Sequence, residues 1–243
     1  MRFSFVILTW NRKAFLERCI SSLVSSVGDF CDAEIIVMDN GSTDGTSDFL
    51  EQYQNDKRFK LVRLKKNFGL NSYKRLLKLA TGEYIVVVDD DVLSFPDDIK
   101  GVFSGFMTDF PDFGYLALDV IQNEHTNGAK PGPEFYTDID RGNKTVLLGP
   151  TGGWCTCLRR RDYNKIKYLF NLKRMDMKQS EDGLLSGLIG KWLGLKSGII
   201  KGQCCFHATG PYYSKENGYL DRDIEKYRSA GLSSFVDTYT KFK

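Results

Sequence analysis

Three aspartates in a row, Asp89-Asp90-Asp91, close the apolar run Tyr84–Val88. The cluster is either a solvated strand-to-loop junction, since acidic turns are common, or a cation site. Adjacent carboxylates repel one another unless positive charge offsets them. Hard oxygen donors suit Mg2+ or Mn2+, whose shell is completed by phosphate and water. A second acidic pair, Glu181-Asp182, stands before the apolar pattern Leu184, Leu185, Leu188, Ile189 and Trp192. These two can cap a helix and complement its dipole, or take a proton from a nucleophilic hydroxyl. Asp39 opens the turn-rich stretch Asp39-Asn40-Gly41-Ser42-Thr43-Asp44-Gly45. It reads as a turn residue or as a hydrogen-bond acceptor for a nucleobase. His207, the better placed of two histidines, is a structural side chain or a metal ligand.

Cys155, Cys157, Cys204 and Cys205, with His207, form a rival zinc set. The spacing is not the usual C-x₂₋₄-C, and neighbours and alternates on a strand do not converge. Small buried thiols are the expectation. Trp154, after Gly152-Gly153, is either core or a ring that stacks on a sugar. Arg159-Arg160-Arg161 reads as a surface cluster at a helix start, or as a lure for an anionic acceptor.

These residues need a frame. Phe3–Leu8, Glu34–Met38, Lys60–Leu64 and Tyr84–Val88 are strand-sized apolar runs, the first continuing back to Met1. Helical spacing separates them: Leu16, Cys19, Ile20 and Leu23; then Thr46–Tyr53; then Tyr73, Leu76, Leu77 and Ala80. The β-α-β order predicts a parallel sheet covered on both faces, with strand C-termini along one edge. Ligands collect at that edge, where Thr9, Asn11, Asp39, Asn67 and Asp89–Asp91 fall. The second half predicts strands at Phe113–Val120, Thr145–Leu148, Trp154–Leu158 and Leu195–Ile200, and helices over Arg161–Phe170 and from Asp182. Residues 122–144, with Gly128, Pro131, Gly132, Pro133 and Gly142, read as a long surface loop. The tail from about Tyr212 has weak helical periodicity and reads as a docking flap or a peripheral membrane foot.

Composition excludes several classes. The 243 residues carry 34 bases and 31 acids, a net charge of +3, too weak to make nucleic acid the partner. No apolar run reaches the roughly 20 residues of a membrane span. The apolar start runs straight into Asn11-Arg12-Lys13 without a cleavage site. Six cysteines without an export signal predict reduced thiols and a cytoplasmic protein. No G-x-G-x-x-G or Walker A sequence follows the first strand, which removes dinucleotide dehydrogenases and P-loop phosphotransferases.

Taken in order, the motifs resemble family 2 glycosyltransferases with the GT-A fold. Val6-Ile7-Leu8-Thr9-Trp10-Asn11-Arg12 and Asp39-Asn40-Gly41-Ser42-Thr43-Asp44 resemble the family's opening. Ala80–Asp91 looks like its DxD strand, Gly152-Gly153-Trp154 with the arginines its acceptor-side segment, and Glu181-Asp182 its "ED" motif. The resemblance spans about residues 3–207. It implies an α/β, Rossmann-like, mostly parallel sheet flanked by helices, with a smaller mixed acceptor-side sheet. Residues 1–112 would form the nucleotide-sugar-binding half and 113–243 the acceptor-binding half of one domain.

What the resemblance implies for the site follows residue by residue. Thr9 and Asp39 would hold the base, commonly uracil, with Asn11 and Asn67 in the donor-binding set. Asp89 and Asp90 would approach the ribose and phosphates. Asp91, with Asp89 and His207, would hold Mn2+ or Mg2+ against the diphosphate. Asp182 would be the catalytic base of an inverting transfer, with Gly153, Trp154 and Glu181 on the acceptor side. The chain has Tyr73-Lys74-Arg75 where the family often shows an alanine-arginine-asparagine run. Which basic residue meets the diphosphate therefore stays open, with Lys74 in the donor set. The partners implied are a nucleotide-diphosphate sugar, UDP-linked foremost, and a glycan or glycoconjugate acceptor, with peripheral contact at the inner face of a membrane. A non-catalytic nucleotide- or carbohydrate-binding protein on the same fold is the alternative. A sugar nucleotidyltransferase would need a glycine-rich, arginine-containing loop after strand one, and this chain lacks it.

Overall fold

Successive residues of a strand face opposite sides, and the first strand of the computed structural model shows it: Phe3, Phe5 and Ile7 enter one core, Val6 the other. The structure describes residues 2–126 and 130–243. Met1, taken with the first strand, and Gly128, taken with the long loop, lie outside the described residues. The first half alternates as predicted: β1 (Phe3–Thr9), α1 (Lys13–Val27), β2 (Ala33–Asp39), α2 (Thr46–Glu51), β3 (Phe59–Arg63), α3 (Tyr73–Leu79) and β4 (Tyr84–Asp89). The order β3-β2-β1-β4 is parallel throughout. Register sets Thr9 beside Asp39 and Leu8 beside Asp89. The polar ends of three strands thus line one edge.

The second half adds β5 (Val92–Ser94), α4 (Ile99–Asp109), β6 (Phe113–Val120), β7 (Thr137–Arg141), β8 (Lys144–Leu148) and β9 (Cys155–Arg159). Then come α5 (Arg160–Leu172), α6 (Glu181–Leu193), β10 (Lys196–His207), α7 (Pro211–Glu216), α8 (Leu220–Ser229) and α9 (Ser233–Thr240). Strand β9 lies antiparallel between β4 and β6, and the sheet continues through β10, β8 and β7. The mixed strands therefore extend the parallel sheet rather than forming a second one. Helices α1 and α4 cover one face with Leu16, Ile20, Leu23, Phe103 and Phe106. Helices α3, α5 and α6 cover the other with Leu76, Ile166, Phe170, Leu185 and Ile189.

Two expectations are corrected. The loop over 122–144 is not structureless: a 3-10 turn at Pro133–Phe135 leads into β7, paired with β8. Thr137-Asp138-Ile139-Asp140-Arg141 sits at the sheet edge with little burial, so it carries almost no apolar signal. The strand expected at Leu195–Ile200 runs on to His207 through a register shift between Ile200 and Cys204. Gly202, at φ +77°, occupies that irregularity. The extension matters because His207 then pairs with Val92 of β5, next to Asp91.

Candidate active site

At the C-terminal edge of β1 and β4 opens a cavity of about 720 Å³, within the usual range for ligand sites. Asp89, Asp90, Asp91, His207, Glu181 and Asp182 all line it. Its centre is a cluster in which one ligand atom from each of Asp89, Asp91 and His207 falls within 4.8 Å of the others. His207 Nε2 stands 3.0 Å from Asp91 Oδ1 and 3.7 Å from Asp89 Oδ2. The backbone N–H of Ala208 donates to the carbonyl of Asp91 at 2.9 Å, fixing β10 against the acidic turn.

The positive charge that an acidic triplet demands comes from Arg12. Its Nη1 donates to Asp90 Oδ1 at 2.8 Å and its Nη2 to Asp91 Oδ2 at 2.7 Å. Thr9 Oγ1 donates to Asp90 Oδ2 at 2.7 Å. Burial pushes the Asp89 carboxyl up to about 7 and raises Asp90 as well, although Arg12 pulls Asp90 back. Burial would raise Asp91 too, but Arg12 and His207 overcome it and hold that carboxyl well below the usual range. For His207, burial alone would lower the imidazole; the charge of the adjacent Asp91 wins and raises it.

The same residues fit a divalent cation. Asp91 Oδ1 is buried and accepts no aligned hydrogen bond, and the Nδ1 of His207 is likewise unpartnered. Two carboxylates and an imidazole make a donor set for Mn2+ or Mg2+. The thiols stand apart from it. Cys155, Cys157 and Cys205 are buried in the core and all six cysteines are free.

Asp182 lies in the first turn of α6, and its Oδ1 accepts from Ser180 Oγ and, at 2.7 Å, from the backbone of Gly183. Oδ2 receives no hydrogen bond among the described residues. Local hydrogen bonds thus occupy one oxygen of Asp182 and leave the other open. Glu181 is buried beside it, and that burial pushes its carboxyl up to about 8. Gly153 lines the cavity, and an added Cβ there would lie 3.2 Å from both Glu181 Oε1 and Asp182 Cβ. The glycine lets the chain before β9 approach the acidic pair.

Not every expected residue joins this group. Thr9, Asn67, Asp89, Asp90, Asp91, Gly153, Glu181, Asp182 and His207 meet at the cavity; Asn11, Asp39, Lys74 and Trp154 do not line it. Asn11, at φ +50°, clasps two loops: its N–H donates to Ser42 Oγ and its Oδ1 accepts from Thr43 N. Asp39 is buried, with Oδ1 accepting from Ser42 N at 2.9 Å and Oδ2 from Ser47 Oγ at 2.5 Å. Its neighbour Asn40 lines the cavity instead and ties the Asn67–Gly69 turn in place. Lys74 lies on α3, whose buried side faces the sheet. Trp154 is core: it is 3% exposed and its indole N–H donates to the carbonyl of Leu118 at 2.9 Å.

Sequence reasoning did not assign Arg12, although the need for a compensating cation was a signal for it. Nor did it assign the tail. Helices α8 and α9 form a small core of Leu220, Ile224 and Tyr239 and bring Arg222, Lys226 and Tyr239 to the cavity wall. Arg222 donates to the carbonyl of Trp10 at 2.7 Å and lies over its ring, while Tyr219 Oη accepts from Ala14 N. Among the described residues, no helix is long and apolar enough to cross a membrane.

The family model described as Glycosyl transferase family 2 matches residues 4–167. The abequosyltransferase RfbV of Salmonella typhimurium (strain LT2) is 32% identical over 160 residues, 61% of this chain and 47% of that protein. The poly(ribitol-phosphate) beta-N-acetylglucosaminyltransferase TarS of Staphylococcus aureus is 32% identical over 93 residues, 37% of this chain and 16% of the relative. The matches thus span less than half the length of these curated relatives. Among solved structures, residues 1–349 of S. aureus TarS in complex with UDP superpose with a TM-score of 0.63 at 18% identity, covering 100% of this chain and 70% of that one. The mannosyltransferase PcManGT of Pyrobaculum calidifontis, in complex with GDP-Man and Mn2+, gives 0.66 at 15% identity, covering 99% and 73%.

Proposed function

The chain belongs to glycosyl transferase family 2, and from that premise we propose that it transfers a sugar, with inversion, from a nucleotide-diphosphate donor to an acceptor hydroxyl. The donor is read as UDP-linked, and the acceptor as a glycan or glycoconjugate. The observation that carries this reading is the convergence of Asp89, Asp91 and His207 with Asp182 in one cavity. Residues 1–112 supply the donor side and 113–243 the acceptor side. Free thiols suit a reducing compartment, which supports a cytoplasmic reading.

Asp89, Asp91 and His207 would hold Mn2+ or Mg2+, which when bound supplies positive charge to a departing diphosphate. Thr9 and Arg12 orient Asp90 and Asp91 so that these carboxylates stay fixed as the donor arrives. Asn67, held by Asn40, walls the donor side. Asp182 takes the acceptor proton at Oδ2 as the hydroxyl oxygen attacks the anomeric carbon opposite the leaving group. Glu181, shifted to about 8, is largely protonated at neutral pH and can donate to an acceptor rather than receive from it.

A thermal-shift panel of nucleotide sugars with Mn2+ tests the donor, because a selective ligand raises apparent stability by mass action. A donor-consumption assay on wild type and Asp182→Asn tests the chemistry. General-base assistance contributes about 10²–10⁴-fold, so the variant should lose turnover by that order while donor binding persists. Stabilisation without sugar release under any acceptor favours the non-catalytic binder.

A further inference from the structure

We propose that Lys226, on α8, is the side chain that meets the donor's diphosphate, and that Arg222 and Asp223 fix α8 in place for that contact. The inference rests on the donor-binding reading above, but its residues lie beyond the stretch matched to the family, which ends at 167.

Four cationic side chains of Arg and Lys line the cavity: Arg12, Arg174, Arg222 and Lys226. Arg12 is committed to Asp90 and Asp91. Arg222 is committed to Asp223 and to the carbonyl of Trp10. Lys226 is partly buried, and among the described residues its ammonium makes neither an ion pair nor a hydrogen bond. Arg174 is also unpaired but is exposed, on the segment between α5 and α6. Lys74, placed in the donor-binding set with the diphosphate partner left open, does not line the cavity.

An ammonium has three donors and no acceptor capacity. The Lys226 Nζ stands 5.3 Å from the centroid of the Tyr227 ring, and burial lowers its proton affinity while Asp223 works against that. The charges of Asp223, Asp91 and Glu181 act on it, and it lines the same cavity as these three. A diphosphate bound in that cavity would give Lys226 acceptors that no group of the described residues supplies. The helix is braced for the task. Ser214 Oγ donates to Asp223 Oδ2 at 2.5 Å, Arg222 binds Asp223, and Tyr219 is tied to the start of α1.

Isothermal calorimetry of the full chain with UDP, GDP and the two monophosphates, with Mn2+ and again with EDTA, tests the assignment. Lys226→Ala should weaken diphosphate binding about 10- to 100-fold, as removal of a charge-assisted hydrogen bond does. It should leave monophosphate binding and the thermal midpoint unchanged. Lys226→Arg should restore most of the loss, and the ranking of variants should survive EDTA. Wild-type diphosphate affinity in Lys226→Ala overturns the proposal, as does a loss that appears in Arg174→Ala instead. Failure of the wild-type protein to prefer either diphosphate over its monophosphate, with or without Mn2+, overturns the donor reading and this assignment together.

Discussion

His207 Nε2 lies 3.0 Å from Asp91 Oδ1, although the two residues sit on different strands far apart in the chain. Backbone pairing, not chance packing, makes the contact: His207 is in register with Val92, and Ala208 donates to the Asp91 carbonyl. The imidazole is thus delivered by the last residue of a 12-residue strand whose middle is bent by a bulge. His207→Ala should leave that pairing intact, because the backbone makes it. Loss of an outer-shell partner alone costs a metal site about 10–100-fold, so loss of a donor should reach at least that range. Calorimetric titration with Mn2+ checks this; an unchanged affinity would remove His207 from the cation set.

Arg12 answers for the stability of the acidic turn. Its guanidinium neutralises Asp90 and Asp91, both buried, and stacks over Phe15 at 4.7 Å. Breaking a buried pair by deleting one member strands the other charge and costs about 3–5 kcal/mol. Arg12→Ala should show a loss of that order in urea unfolding without divalent ions. Saturating Mn2+ should then stabilise the variant, by about 2.7 kcal/mol at a hundredfold excess over Kd. Equal stability of variant and wild type in chelator would mean that Arg12 does not neutralise the turn.

Trp154 belongs to the core and not to an acceptor platform. Its ring is buried and its N–H donates to the carbonyl of Leu118. Trp154→Phe keeps an aromatic ring but loses the donor. A buried acceptor left unpaired costs about 1–3 kcal/mol, and the loss should appear as a lower denaturation midpoint. A midpoint equal to wild type would show that the hydrogen bond contributes nothing.

The parallel half was legible because β1, β2 and β4 are buried apolar runs and its longer helices keep an apolar stripe. Strand β4 with its acidic end, and Glu181-Asp182 before Leu184 and Leu185, were readable for the same reason. Tertiary pairing was not. Nothing in Cys204-Cys205-Phe206-His207 says that this segment pairs with Val92, since the bulge around Gly202 interrupts the apolar pattern. Asp39 and Asn11 sit at the predicted sheet edge, yet their side chains turn to the Ser42–Ser47 loop, a choice made by local hydrogen bonds. The tail was opaque because its small core of Leu220, Ile224 and Tyr239 is made by packing α8 on α9, a tertiary contact the sequence pattern does not show.

Glu181 should make stability fall as pH rises. Its carboxyl, ordinarily near 4.5, is pushed up to about 8 in the folded protein, first by burial and then by Asp89 and Asp182. Between those values the folded state holds a proton that the unfolded state has released. The folded state therefore gains from protonation, and that gain shrinks with rising pH until the folded carboxyl ionises. The slope is at most about 1.4 kcal/mol per pH unit for one proton. Glu181→Gln keeps the side chain's shape and cannot ionise, so its stability lacks this dependence. Relative to wild type the variant should gain steadily from about pH 5 to about pH 8 and then level off. Urea unfolding of both proteins across that window, in chelator so that no cation shifts the neighbouring aspartates, measures the difference. A difference flat in pH would mean that Glu181 titrates alike in both states and that its burial does not govern its protonation.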